Sequence, residues 1–147
     1  MSSPGTRSFE HRHVVRRGLA EAFAFFSDPA NLPRLTPRPL GFRIVERPAQ
    51  IGRGARFRYR VGPTDWVAEI TEWEPPRAFA DVQVRGPYRA WRHRHELSEV
   101  AAGTEVRDVV EYRLRGGAAA RLLEPVHRAF LRRLFAYRSR RLDDLLG

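Results

Sequence analysis

The stretch from Phe79 to Leu97, FADVQVRGPYRAWRHRHEL, alternates by side-chain type on both sides of a Gly86-Pro87 break. Successive side chains of a strand point to opposite faces. The pattern therefore specifies two antiparallel strands, with Trp91, His93, His95 and Leu97 on one face and Arg92, Arg94 and Glu96 on the other. The arginine face must meet water, which turns the tryptophan and both imidazoles inward. What joins them depends on the turn. A three-residue loop, Gly86-Pro87-Tyr88, with Gly86 at positive φ, sets Phe79 opposite His95, Asp81 opposite His93 and Gln83 opposite Trp91. A two-residue loop would slip the register by one and send Asp81 and Gln83 to the arginine face.

Neighbouring segments favour the longer loop. Arg56-Val61 alternates Phe57, Tyr59 and Val61 against arginines, and a Gly62-Pro63-Thr64-Asp65 loop pairs Val61 with Trp66, Tyr59 with Ala68 and Phe57 with Ile70, all on one face. After Trp66-Trp73, closing the turn Glu74-Pro75-Pro76-Arg77 places Ile70 opposite Asp81 and Ala68 opposite Gln83. Only the three-residue loop then keeps Ile70, Asp81 and His93 on one face across three strands. The next strand, Thr104-Leu114, sets His95 against Asp108, His93 against Val110 and Trp91 against Tyr112. Asp108 is the lone acid in an apolar series of Val106, Val110, Tyr112 and Leu114. A buried carboxylate without a partner costs several kcal/mol, and His95 is the expected partner.

Upstream, Arg7-Arg16 reads as a strand with Phe9, His11, His13 and Val15 on one side, and Arg12 and Arg16 mark it as a wet edge. Leu19-Ser27 has helical spacing, with Leu19, Ala22, Phe23 and Phe26 on one stripe. Asp28-Pro29 stops it, a second helical turn covers Ala30-Leu35, and Pro37 and Pro39 enforce an extended linker into a strand at Phe42-Arg47. Gly116-Gly117 ends the sheet, and Ala118-Leu146 is helical, with Pro125 kinking it or opening its main part. The apolar stripe of that helix centres on Leu123, Phe130, Leu134 and Leu145, widened by Val126, Leu131, Tyr137 and Leu142. His127, Arg138 and Arg141 fall on the same stripe, which a purely structural helix would not require. The expected class is α+β: a seven-stranded antiparallel sheet, two short helices after the first strand, and a terminal helix about 40 Å long laid on the apolar face.

With 147 residues, 42% of them hydrophobic, the chain suits one core and hence one domain, 1–147, with residues 1–6 loose. The longest apolar run, Ala22-Phe26, is far short of the roughly 20 residues a membrane span needs, and the opening segment has no apolar h-region. A soluble, cytoplasmic protein is expected. The absence of Cys excludes disulfides and thiolate chemistry. A net charge of +10 invites a nucleic-acid reading, but all 27 basic residues are arginine and they are scattered through every element. That distribution indicates coding bias and a solvated basic surface, and no nucleic acid is expected as a partner. No nucleophile elbow, phosphate loop or zinc motif is present.

The order of elements, together with FAFFSDPANLPRLTP, ITEWEPPRAF, RGPYRAWRHRHEL and the final AYRSRRL, resembles the START-like or SRPBCC superfamily from Phe9 to Leu145, and within it the small bacterial ligand-binding, cyclase/dehydrase-like branch. The resemblance implies a helix-grip fold: a sheet curved around the C-terminal helix, a cavity between them, and the short helices at its mouth. It also implies lipids, sterols, hormones or polyketide-like aromatics as ligands, and cyclisation or dehydration in some members. Metal-dependent branches of the superfamily use two histidines and a carboxylate, ligand types that His93, His95 and Asp108 offer. The chain lacks the accompanying cysteine cluster domain and the helical ligand spacing of that branch, so no metal and no cofactor are expected.

The favoured expectation is noncatalytic binding or carriage of a small hydrophobic molecule by a monomer or homodimer. Phe57, Tyr59, Trp66, Ile70, Trp91, Val110, Phe130 and Leu134 would form the walls; Asp81, Gln83, His93, His95, Asp108 and Arg138, with His127, would orient polar groups of the ligand. The alternative is a cyclase, dehydratase or isomerase in which His93, His95, Asp81 and Asp108 divide acid and base roles. A third reading is a protein-interaction module with a basic surface and Val67, Val82 and Val84 exposed on the convex face.

Overall fold

In a computed structural model, which describes residues 5–147, the chain folds as a seven-stranded antiparallel sheet and one long helix. The strands are β1 (Arg7–Val15), β2 (Phe42–Glu46), β3 (Arg56–Val61), β4 (Thr64–Glu74), β5 (Ala78–Arg85), β6 (Ala90–Val100) and β7 (Gly103–Arg113), in the spatial order β1-β7-β6-β5-β4-β3-β2. Helix α1 (Leu19–Ser27) and 3-10 segments at Pro29–Leu35 and Arg38–Leu40 follow β1, and α2 (Ala118–Leu146) closes the chain. Of the segment expected to be loose, residues 1–4 lie outside the described residues. No described helix is long and apolar enough to cross a membrane.

The central register is the one read from alternation: Asp81 faces His93, Phe79 faces His95, and across β6–β7 His95 faces Asp108 while His93 faces Val110. Ile70 faces Asp81 and Ala68 faces Gln83, as expected. A bulge between Ile70 and Glu72 then shifts the far end, so Trp73 pairs with Phe79 and turns inward. At β3–β4 the register differs. Thr64 and Asp65 belong to the strand, leaving a two-residue Gly62-Pro63 turn, so Tyr59 pairs with Trp66 and Phe57 with Ala68. The slip is two residues, an even number, and every side chain keeps the face assigned to it.

Gly86 is not at positive φ. Its hydrogen side is instead occupied by Gln83, whose Oε1 would lie 2.5 Å from an added Cβ. Gln83 accepts from the Tyr88 amide at 3.0 Å and donates to the Tyr88 carbonyl at 2.9 Å, clamping the turn and pressing the Tyr88 ring into the core. The region read as an extended linker makes one further 3-10 turn, Arg38–Leu40, ended by Gly41.

Burial gathers in two clusters. One packs Val15, Leu19, Phe23, Phe79, Leu97, Val106, Leu142 and Leu146, sealing α1 and the C-terminal turns of α2 against the sheet. The other, around Phe57, Tyr59, Trp66, Ile70, Tyr88, Tyr112, Leu131 and Phe135, forms the second half of the core. Along α2 the buried positions are Leu131, Phe135, Leu142 and Leu146, so the stripe is rotated from the expected one. Leu123, Val126 and Phe130 are 55%, 68% and 40% exposed, because the first turns of α2 are not pressed against the sheet. Pro125 lies inside the continuous helix, in this exposed part, where water can satisfy the carbonyl it leaves without a donor.

On the convex face arginines and acids form cross-strand pairs, including Arg56–Glu69 at 2.7 Å, Arg94–Glu72 at 2.8 Å and Arg107 with both Glu10 and Glu96 at 2.8 Å. Val67 and Val82 are half-buried, and Val84 alone of the three expected valines is exposed.

Candidate functional site

A cavity of about 410 Å³ opens between the concave face, the 3-10 segments and the middle of α2. Its volume is at the lower end of the range of small-molecule sites. Phe57, Tyr59, Trp66 and Ile70 from β3 and β4 supply one wall, Trp91 another, and Phe130 and Leu134 the helical side. Asp81, His93, His95 and Arg138 supply the polar groups. These are the residues expected from the sequence, with three corrections. Gln83 is taken up by the turn, and neither Asp108 nor Val110 reaches the cavity. Val110 is fully buried in the core, and Asp108 sits behind the histidines.

Several lining residues were not legible in alternation. Leu32, Thr36 and Leu40 come from the irregular segments at the mouth, and Pro87 and Tyr88 from the turn. Irregular backbone has no period to read, although the Pro-rich composition marks it as a loop. Tyr88 bonds through its hydroxyl to His127 Nε2 at 2.9 Å, and Tyr112 donates to Glu124 Oε1 at 2.6 Å; together they tie the exposed half of α2 to the turn and to β7.

The polar cluster has a layered arrangement. Phe79, His95 and His93 stack in series, with ring centroids 4.1 Å and then 3.9 Å apart. Behind them, His93 Nε2 lies 2.8 Å from Asp108 Oδ1 in a hydrogen bond. His95 Nδ1 lies 3.0 Å from the same oxygen without hydrogen-bond alignment, an electrostatic contact. Burial pushes the Asp108 carboxyl up, but the two imidazoles held against it outweigh burial and keep it well below the usual carboxylate range. An ionised carboxylate only accepts, so Nε2 of His93 carries the hydrogen and Nδ1 keeps its lone pair. Burial, with the charge of His95, brings His93 down to about 4 against the opposing pull of Asp108, so its imidazole is neutral near pH 7.

Asp81 and Arg138 face the cavity from opposite sides. Among the described residues neither has a hydrogen-bonded or ion-paired side-chain partner, and Nε of Arg138 is buried without one. The surface they retain borders the cavity. Burial raises the Asp81 carboxyl to about 6, against the charges of His95 and Arg138. Burial also lowers the Arg138 guanidinium, which rests 5.1 Å over the Phe135 ring. On the edge strand, His11 and His13 turn toward α2: His11 Nε2 is 3.1 Å from Ser139 Oγ, and His13 Nε2 is 3.1 Å from Asp143 Oδ1. They lie away from the cavity lining.

A protein-family model described as polyketide cyclase / dehydrase and lipid transport matches residues 6–145. No curated protein matches the chain. Among solved structures, it resembles a protein from Rhodobacter sphaeroides, with 22% identity over 98% of this chain and 95% of that one at a TM-score of 0.73. A START superfamily protein from Mycobacterium smegmatis aligns at 14% identity over 95% and 98%, TM-score 0.70. The Zhui aromatase/cyclase from a Streptomyces species aligns at 15% identity over 93% and 91%, TM-score 0.69. At these identities the likeness is one of fold, and it is the helix-grip fold.

Proposed function

The chain belongs to the polyketide cyclase / dehydrase and lipid transport family, and from that premise we propose that it binds a small, mostly apolar molecule bearing one polar end. The observation that carries this reading is the aromatic-walled cavity of about 410 Å³ in which Asp81 and Arg138 face inward with no side-chain partner among the described residues. Buried polar groups are normally satisfied, and an unpaired cation and an unpaired acid facing each other across an apolar hollow are complementary to a ligand group that both donates and accepts. The apolar walls supply most of the affinity, and the polar end sets orientation.

Native mass spectrometry of freshly purified protein, followed by titration with long-chain fatty acids and hydroxylated naphthalenes, tests the proposal. Binding of one molecule per chain is expected, and Leu134→Trp, which fills the cavity, should abolish it. If no compound co-purifies or binds, or if the filled variant binds equally well, the reading is wrong.

A second reading is favoured by the same polar cluster. A neutral imidazole brought down to about 4 and a carboxyl raised to about 6 differ enough to separate acid and base roles in a proton transfer. In this reading Asp81 in its acid form protonates a carbonyl or leaving hydroxyl, and an imidazole held by Asp108 takes the proton released. The fold shared with the Streptomyces aromatase/cyclase is consistent with cyclisation or dehydration. Retained binding with loss of product in Asp81→Asn would establish catalysis; binding without any product from the parent chain would exclude it for that compound.

A further inference from the structure

Three electron-pair donors converge on one side of the polar cluster. Asp81 and His93 are directly paired across β5–β6, and His95 follows two residues on, so all three project from the same patch of the concave face. A ligand atom from each lies within 4.8 Å of the other two. The far side of the imidazole pair is already committed, since His93 Nε2 and His95 Nδ1 both rest against Asp108 Oδ1. What remains for the cavity these three residues line is Nδ1 of His93, Nε2 of His95 and the Asp81 carboxylate, none of which accepts a hydrogen bond among the described residues.

We propose that Asp81, His93 and His95 form a site for a divalent transition-metal ion of the zinc type, with an open coordination position facing the cavity. Two nitrogens and one carboxylate oxygen are the donor set such ions take at sites that leave a position for water or ligand. Asp108 has the place of the outer carboxylate that fixes the tautomer and tilt of a ligating histidine. It is therefore a positioning residue, and the carboxylate ligand is Asp81. With bonds of roughly 2.1 Å, tetrahedral donors lie about 3.4 Å apart, so the ion draws the widest of the present separations in by roughly 1.4 Å at most. The Asp81 side chain, unbonded and bordering open space, can supply that movement by rotation. Arg138 then serves the anionic end of whatever occupies the open position.

The test is calorimetric titration of the chelator-stripped full chain with Zn²⁺ at neutral pH, repeated with Co²⁺ while visible absorption is followed, with no organic ligand present. One equivalent should bind, and the Co²⁺ form should absorb as a low-coordinate nitrogen–oxygen complex. Asp81→Asn and His95→Gln should each weaken binding by more than about tenfold, and Asp108→Asn by about 10- to 100-fold as expected for an outer partner. Circular dichroism and melting curves of each variant establish that it is folded. Asp81→Asn, which only replaces an unbonded cavity-facing group, serves as the deciding variant if the histidine variant does not fold. Absence of stoichiometric binding overturns the proposal and leaves a proton as the cation in the cluster. Undiminished binding in folded Asp81→Asn also overturns it, locating the ion elsewhere, as at His13 and Asp143. Because the readout is the ion alone, either result leaves the ligand-binding reading untouched.

Discussion

At the scale of single residues, the polar cluster makes opposing contributions to stability. The Asp81 carboxyl, raised from its ordinary 3.8 to about 6 by burial, holds a proton in the folded chain that the unfolded chain has released. Folding stability therefore falls as pH rises through that window, and the whole cost is present above it. Asp81→Asn removes the cost. Urea denaturation should find this variant more stable than the parent above pH 7, by roughly 1–3 kcal/mol, with the advantage shrinking to nothing near pH 4. His93 acts in the other direction. Lowered from 6.5 to about 4, it stays neutral while the unfolded chain takes up a proton, so its contribution is lost as pH falls through that interval. The two slopes overlap and partly cancel in the parent chain. Stability of Asp81→Asn should consequently fall more steeply on acidification than that of the parent, and a profile of unchanged shape would contradict both assignments. The histidines, Asp81 and their shared face were all legible from alternation, whereas the role of Asp108 was only half legible. Its pairing with His95 follows from register, but its stronger bond, to His93, depends on how two stacked rings tilt.

Helix α2 illustrates what periodicity can and cannot supply at the scale of an element. Its limits, Ala118 and Leu146, follow from the glycine pair before it and the unbroken helical spacing. Its buried face did not follow, because the apolar residues of its first three turns drew the stripe toward Leu123 and Phe130, which the sheet does not cover. Leu131 is wholly buried while Leu123 is more than half exposed. Leu131→Ala should cost about 2–5 kcal/mol, against less than about 0.5 kcal/mol for Leu123→Ala; equal losses in thermal or chemical denaturation would mean that the front of α2 is docked. The β6–β7 connection gives a second expectation. Gly103 has φ of +144°, and a Cβ there would lie 2.1 Å from the Val15 carbonyl oxygen on the neighbouring strand. Gly103→Ala must move β1 or the turn, and its melting temperature should fall by more than that of Ala102→Gly in the same exposed connection.

For the molecule as a whole, two clusters divide the labour. One end is packed by α1 and the last turns of α2; the other leaves a hollow. A bound molecule should therefore raise the melting temperature in a concentration-dependent way, by an amount corresponding to about 2.7 kcal/mol at one hundred times its Kd, and Leu134→Trp should lose that response. On the convex face arginines are paired with cross-strand acids. The sequence by itself determined the strands, the two α-helices, the central register and the face of the strand residues up to the Ile70–Glu72 bulge, because strand parity and helical period are local properties of the backbone. Even the misplaced β3–β4 turn, slipped by two, left those faces intact. Only the tertiary structure decided that Gln83 clamps a turn, that Tyr88 turns inward and that α2 presents Phe135 to the sheet. It alone also decided that a cavity survives. Those outcomes depend on how far the sheet bends and where the helix crosses it, which are set by the sum of distant contacts and leave no period in the chain.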